Sequence, residues 1–174
     1  FYSSCMDEKK IYAPGTKPIE PLLEQIRSIK NRAELHALLS PLAALPLRAP
    51  FGIAPSPDNH NPSQVIATVY SSGLGLPDRD YYLKPEQRFV EARQKYRAHV
   101  TRMFGLAGWD KAAAQKASDS IFALEKRLAA AQLDNVALRS PEATDHKLTV
   151  AALQKLTPHF DWKKYLDAAG IAQA

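Results

Sequence analysis

The sequence predicts a mainly α fold, in which helical hairpins form a lobe that carries one short two-stranded β-hairpin around residues 50–71. Three observations carry that prediction. Two long stretches repeat apolar residues at helical spacing, Phe89, Tyr96, Val100 and Met103 in one and Ala117, Ile121, Leu124, Leu128 and Ala131 in the other. A proline-rich stretch (Pro46, Pro50, Pro55, Pro57, Pro62) leads into the β-branched run Val65-Ile66-Ala67-Thr68-Val69-Tyr70. Residues that cap helices stand ahead of most of the helical patterns.

Taken in order, residues 1–11 read as a helix that Pro14-Gly15 ends. Pro18 and Pro21 suit the first turn of the next helix, where a missing N–H costs nothing, and Leu22, Ile26 and Ile29 share its face. Asn31 with Glu34 three residues later resembles a capping box. Leu35, Leu38, Leu39 and Leu42 then form an apolar stripe, and Pro41 limits or kinks that helix near its end. Residues 1–45 are therefore expected as a helical hairpin with leucines buried between its arms.

Residues 46–83 are expected to hold the β-hairpin and a corner. Phe51 and Ile53 begin one strand, and Asp58-Asn59-His60-Asn61 supplies good turn chemistry. Pro55 and Pro57 then belong on an edge or just past the strand. In the corner, Gly73-Leu74-Gly75-Leu76-Pro77-Asp78-Arg79-Asp80-Tyr81-Tyr82-Leu83, the glycines permit unusual backbone and Pro77 holds Leu76 extended. The chain must turn there. Arg79 between Asp78 and Asp80 predicts ion pairs that fix a rigid strand-to-helix joint, with a ligand-gripping loop as the alternative.

Residues 84–135 are expected as a long antiparallel helical hairpin, with Gly105 and Gly108 ending its first arm and Asp110 capping the second. Ala113, Ala117 and Ala131 would let the arms approach closely. Residues 140–170 read as short helices that start at Ser140-Pro141, at Thr149 and at Asp161, and stop at Gly170. Leu148 with Leu153 and Phe160 with Tyr165 are spaced as hydrophobic staples.

At 174 residues, 45% hydrophobic and 24% charged, the chain can bury a core, and it has no apolar run near the ~18 residues of a membrane span. Cys5 is the sole cysteine, so no internal disulfide forms, and it is expected as a buried thiol. The net charge of +5 concentrates in Lys84, Arg88, Arg93, Lys95, Arg97 and Arg102, against Glu86 and Glu91. No aromatic platform or nucleic-acid motif accompanies them, so nucleic acid is not an expected partner. That basic face supports an alternative function, a stand-alone helical binding module for acidic partners.

Catalytic patterns are missing. A zinc peptidase helix needs two histidines at i and i+4 with a glutamate between, and no two of His36, His60, His99, His146 and His159 stand four apart. No G-x-S-x-G elbow occurs. The Leu-Pro that follows Gly73-Leu74-Gly75 would block a phosphate-holding helix start. Asp78 with Asp80 and Asp7 with Glu8 are sequence neighbours rather than pairs facing across a cleft. No catalytic, cofactor-binding or metal-ligating residue is assigned, and the chain alone is expected to be inactive.

The corner Gly73 to Leu83 closely resembles the GLGLPDRDYYL signature in the non-catalytic lobe of neprilysin-like zinc metallopeptidases. Further matches follow in the same order: Phe1 to Asp7 with a YxSCMD start, Pro50-Phe51 with Asp58 and Asn61-Pro62, Lys95 to Val100, and Phe160-Asp161-Trp162. Arg139 to Lys147 matches the family's RDPxKTYN segment only in degraded form. The resemblance implies a piece of a longer extracytoplasmic zinc metalloendopeptidase that cleaves small peptides. Residues 1–174 would be part of its substrate-enclosing helical lobe, with the zinc catalytic domain absent from this chain. The implied partners are that domain and small peptides, zinc is implied for the parent alone, and self-association of the piece through uncovered apolar surface is expected. In vertebrate relatives the cysteine matching Cys5 pairs with one much further along, so the resemblance offers a disulfide as the alternative to a buried thiol.

Overall fold

The computed structural model describes residues 2–43 and 49–171, so the expectations placed on Phe1 and Pro46 lie outside the described residues. The helices are α1 (Tyr2–Met6), α2 (Glu8–Tyr12), α3 (Glu20–Arg27), α4 (Arg32–Ala43), α5 (Asp80–Leu83), α6 (Gln87–Leu106), α7 (Lys111–Ala131), α8 (Pro141–Thr144), α9 (Val150–Leu156) and α10 (Trp162–Ala168). Short 3-10 turns at Lys17–Ile19 and Ala137–Arg139 precede α3 and α8. Strands β1 (Phe51–Asp58) and β2 (Asn61–Ser71) form one antiparallel hairpin. The predicted mainly α class with a single β-hairpin is what the chain adopts.

Local chemistry sets most boundaries. Asp110, Thr149 and Asp161 each accept a hydrogen bond from a backbone N–H in the first turn of their helix, at 2.9, 3.2 and 2.9 Å. Asn31 accepts from Glu34 N at 3.0 Å, while Glu34 reaches back to Lys30 N at 2.7 Å. At the end of α6, Gly108 takes φ +90° and Trp109 N–H bonds back to Phe104 O at 3.1 Å, with the two rings 4.8 Å apart. That is a Schellman stop with its hydrophobic contact, and Gly170 at φ +71° repeats the backbone pattern after α10. Replacing Asp110 by alanine removes a cap from α7 and is expected to cost about 1 kcal/mol in urea unfolding.

One boundary differs from expectation. The single helix expected over residues 1–11 is two, because Asp7 caps α2 by accepting from Lys10 N at 3.1 Å. The strands run 8 and 11 residues, and Pro55 and Pro57 lie in β1, opposite Ala67 and Val65, on an edge as expected. In a two-stranded sheet every strand is an edge, so each can tolerate a missing donor. Helix α4 is described as far as Ala43, with Pro41 near that end as expected.

Among the described residues two apolar clusters form the core. The first joins Leu74, Leu76 and Tyr82 of the corner to Ala129 of α7, with Tyr81, Tyr96, Phe122 and Leu128 packed around them. The second joins Trp162, Tyr165 and Leu166 of α10 to Leu39, Phe51, Ile53, Val150, Leu153 and Phe160. Phe160 and Tyr165 meet at 5.5 Å, as the staple spacing predicts. The leucine-lined hairpin over residues 1–45 needs correction: α4 packs on α10, and Ile26 and Leu35 remain 45% and 43% exposed. Leu39 packs on the aromatic cluster of α10, and periodicity in α4 cannot name its partner.

Helices α6 and α7 pack antiparallel, as expected, but on a different stripe of α7. Ala114, Ser118, Glu125 and Ala129 are buried, whereas Leu124 is 54% exposed. The buried face is rotated by about one residue because two of its members are polar. Ser118 Oγ donates to Arg97 O at 2.9 Å, and Glu125 accepts from two tyrosines. A hydrogen-bonded polar group can sit where apolar spacing would refuse it.

Candidate functional site

The corner between β2 and α5 is closely packed. Gly73 has φ +82°, and a Cβ there would lie 2.8 Å from Pro50 Cα and 3.3 Å from Leu128 Cδ1. Only glycine lets the root of the hairpin sit this close to α7. A Cβ on Gly75 would lie 2.0 Å from the hydroxyl of Tyr96. With both glycines in place, Leu74 and Leu76 turn into the first cluster and Tyr82 comes beneath them.

Beneath the corner lies a polar node. Tyr82 Oη accepts from Leu76 N at 2.9 Å and donates to Glu125 Oε2 at 2.9 Å. Tyr96 Oη donates to Glu125 Oε1 at 2.8 Å, so both carboxylate oxygens are held by phenols. Burial, with Glu125 adding to it, raises the Tyr82 hydroxyl well above its ordinary pKa, so it stays a neutral donor. Tyr82 also stacks on Phe122 at 5.6 Å between ring centres. The node ties α5, α6 and α7 together through groups that all have partners.

Arg79 does not make the ion pairs its sequence neighbours suggest. Its Nε donates to Ala129 O at 3.3 Å, placing a cation at the carbonyl end of α7. Asp78 Oδ1 accepts from Asp80 N at 2.8 Å, and among the described ion pairs Asp80 takes Lys84 at 2.7 Å. Asp80, in turn, raises the pKa of Lys84. In a one-turn helix the i+4 lysine reaches the carboxylate more easily than the preceding residue does. These contacts make the corner a joint between the hairpin and α7.

Several other predicted features now have places. Asp58 Oδ1 accepts from His60 N at 2.9 Å, confirming the turn chemistry, and Lys147 pairs with Asp58 Oδ2. The basic stretch is largely engaged within the lobe: Arg93 donates to Tyr81 O and Lys84 O at 2.8 and 2.9 Å, and Arg97 pairs with Asp119. His99 is exposed beside Arg102. Cys5 is exposed, against the expectation of a buried thiol, because α1 packs mainly on α2 and little else covers it.

Sequence reading missed Glu125. The signal was present: a carboxylate four residues after Ile121 and four before Ala129, on the side of α7 facing two tyrosines that need acceptors. Among the described residues no group of three or more His, Cys, Asp or Glu comes together that could hold a metal ion. A shallow concavity of about 650 Å³ beside Tyr2, Met6, Asp7, Glu8 and Lys9 is lined by two successive short helices, without polar groups converging from separate elements.

A family model described as peptidase family M13 matches residues 1–174. The chain belongs to peptidase family M13. Within this family it matches the N-terminal region, as a neprilysin-like fragment. The zinc metalloprotease Zmp1 of Mycobacterium tuberculosis, solved with an inhibitor, superposes with a TM-score of 0.89 at 31% identity, over 97% of this chain and 26% of that one. Endothelin-converting enzyme-like 1 of Rattus norvegicus is 30% identical over 96% of this chain and 23% of its own length. Human endothelin-converting enzyme 1 is 28% identical over 96% of this chain and 22% of its own. The chain therefore spans about a quarter of the length of these M13 relatives.

Proposed function

We propose that this M13 chain is a substrate-enclosing, non-catalytic part of the lobe of a zinc metalloendopeptidase that cleaves small peptides. One observation carries the reading: nearly the whole chain follows the fold of a solved zinc metalloprotease, while the polar groups beneath its corner are engaged with one another. The described residues do not fit zinc, so no step of peptide hydrolysis is assigned to them. The metal and the residues that activate water belong, on this reading, to the catalytic domain of the parent. The lobe contributes walls, and rigid walls exclude folded substrates.

The same reading treats residues 1–174 as one lobe in four parts, with breaks near residues 45, 83 and 135. Uncovered apolar side chains support a surface that the catalytic domain covers in the parent. Tyr2, Met6 and Tyr12 are 76%, 62% and 76% exposed, which also promotes self-association of the isolated chain. The proposed location is extracytoplasmic; among the described residues no helix is long and apolar enough to cross a membrane.

The test is hydrolysis of a small fluorogenic peptide by this chain and by the longest natural chain containing it. Activity only in the longer chain, abolished by a chelator and restored by zinc, is expected. Chelator-sensitive hydrolysis by residues 1–174 would overturn the assignment.

A further inference from the structure

The β-hairpin has two outer edges, and they differ in chemistry. Strands β1 and β2 run antiparallel with Phe51 opposite Ser71, and one step further Ser72 N donates to Pro50 O at 3.2 Å. That bond fixes the phase of the ladder. Gly52, Ala54 and Ser56 of β1 turn their N–H and C=O groups toward β2, and the alternate residues turn theirs outward. Pro55 and Pro57 fall on the outward set of β1, so that edge lacks donors another strand would need. On β2 the outward set is Val65, Ala67, Val69 and Ser71, with no proline among them.

The edge of β2 is also uncovered. Val65 is 70% exposed and Val69 39%. Among the described residues no hydrogen bond reaches the outward N–H and C=O groups of Val65, Ala67 or Val69. Tyr70 lies across Gly52, toward β1, and leaves the edge clear. Residues Asn61 to Ser71 carry no charge, so no lysine or glutamate guards the edge against pairing.

The sequence of that edge selects its occupant. About Ala67 the run Val65-Ile66-Ala67-Thr68-Val69 is nearly its own mirror image: valine answers valine, and β-branched isoleucine answers β-branched threonine. We propose that β2 is a self-docking edge, which pairs antiparallel with β2 of a second copy of this chain about a two-fold axis at Ala67. In that register Ala67 meets its own equivalent, Val65 of each copy meets Val69 of the other, and each pair exchanges N–H···O bonds in both directions. The contact is isologous and closes on itself. The joined sheet shows a proline-bearing β1 edge on either side, so it stops at two copies. This docking is independent of the peptidase reading, and it uses a different element from the exposed Tyr2, Met6 and Tyr12.

Sedimentation velocity of the 174-residue chain reads the association. A small interface of this kind is expected to dissociate in the range of about 10–100 µM, with a dimer as the largest species. Ala67→Pro removes the central outward donor and no bond to β1, since Pro55 already holds the facing outward position. A folded monomer at every concentration is expected. Ala67 is exposed, so Ala67→Lys and Ala67→Glu are accommodated by the hairpin. Each sets like charges face to face at the axis and is expected to weaken the dimer about five-fold, while an equimolar mixture of the two restores it. Met6→Ser combined with Tyr12→Ser is expected to leave the dissociation constant unchanged, which separates this edge from the apolar residues of α1 and α2. A natural chain that stays monomeric would leave the edge to a strand of another protein, and overturns the proposal. So does a mixture of the Lys and Glu variants that fails to recover, or a folded Ala67→Pro that dimerises like the natural chain. Assemblies larger than a dimer in the Met6→Ser, Tyr12→Ser variant would show that the proline edges do not stop growth, and overturn it too.

Discussion

Replacing Gly73 by alanine is expected to lower stability by about 3 kcal/mol, which for a chain of this size corresponds to roughly 6–12 °C in Tm. Two costs add. At φ +82° an L side chain is strained by about 1–2 kcal/mol. The new Cβ would also lie 2.8 Å from Pro50 Cα and 3.2 Å from Ala49 O, and backbone cannot step aside as a side chain can. The hairpin root must then move off α7, stretching the bond from Gln132 Nε2 to Ser72 O, now 3.1 Å. Gly105→Ala is the matched control. It lies in α6 with nothing within 4 Å of the new methyl, and should be stabilising by about 0.5–1 kcal/mol. Thermal unfolding of the two variants checks the pair, and equal Tm values would remove the close-approach argument.

Glu125→Ala is expected to cost about 3–4 kcal/mol in urea unfolding. It opens space in α7 and leaves the hydroxyls of Tyr82 and Tyr96 without the acceptor they share. Glu125→Gln keeps the shape and one carbonyl oxygen, and its amide can donate to the second phenol, so about 1 kcal/mol is expected. A result in which both variants lose equally would point to charge rather than to hydrogen bonding. The node has a pH signature as well. The folded pKa of Tyr82 is raised, so its contribution is complete below about pH 10, where a free tyrosine titrates, and is lost as pH rises further. Tyr82→Phe should therefore flatten the alkaline limb of the stability curve.

What could be read from the sequence was local. Asp110, Thr149 and Asp161 cap helices by bonds that span three residues, and Gly108 and Gly170 stop them by backbone conformation. The Asp58–His60 turn is equally short-ranged. The corner was legible as a rigid joint because its glycines and proline leave the chain few options. Its bracing was not. Arg79 has two aspartates beside it and chooses a carbonyl 50 residues away. Spacing to Ile121 and Ala129 could place Glu125 on a buried face, but not name its partners, which are phenols 43 and 29 residues distant. The exposure of Cys5 depends on which neighbours its helix lacks, and composition carries no record of neighbours.

The packing of α4 and Phe51 against α10 has a consequence for how the molecule is made. Chains leave the ribosome from the N-terminus at about 5–20 residues per second, so α4 and β1 emerge on the order of ten seconds before Trp162 and Tyr165. The long hairpin α6–α7 and the corner can complete themselves in that interval, since their partners lie nearby in the chain. Leu39, Phe51 and Ile53 cannot, because their cover on α10 is synthesised well after they are. Translation that stops short of α10 therefore leaves the corner whole and the front of the chain bare, a ready target for chaperones and proteases.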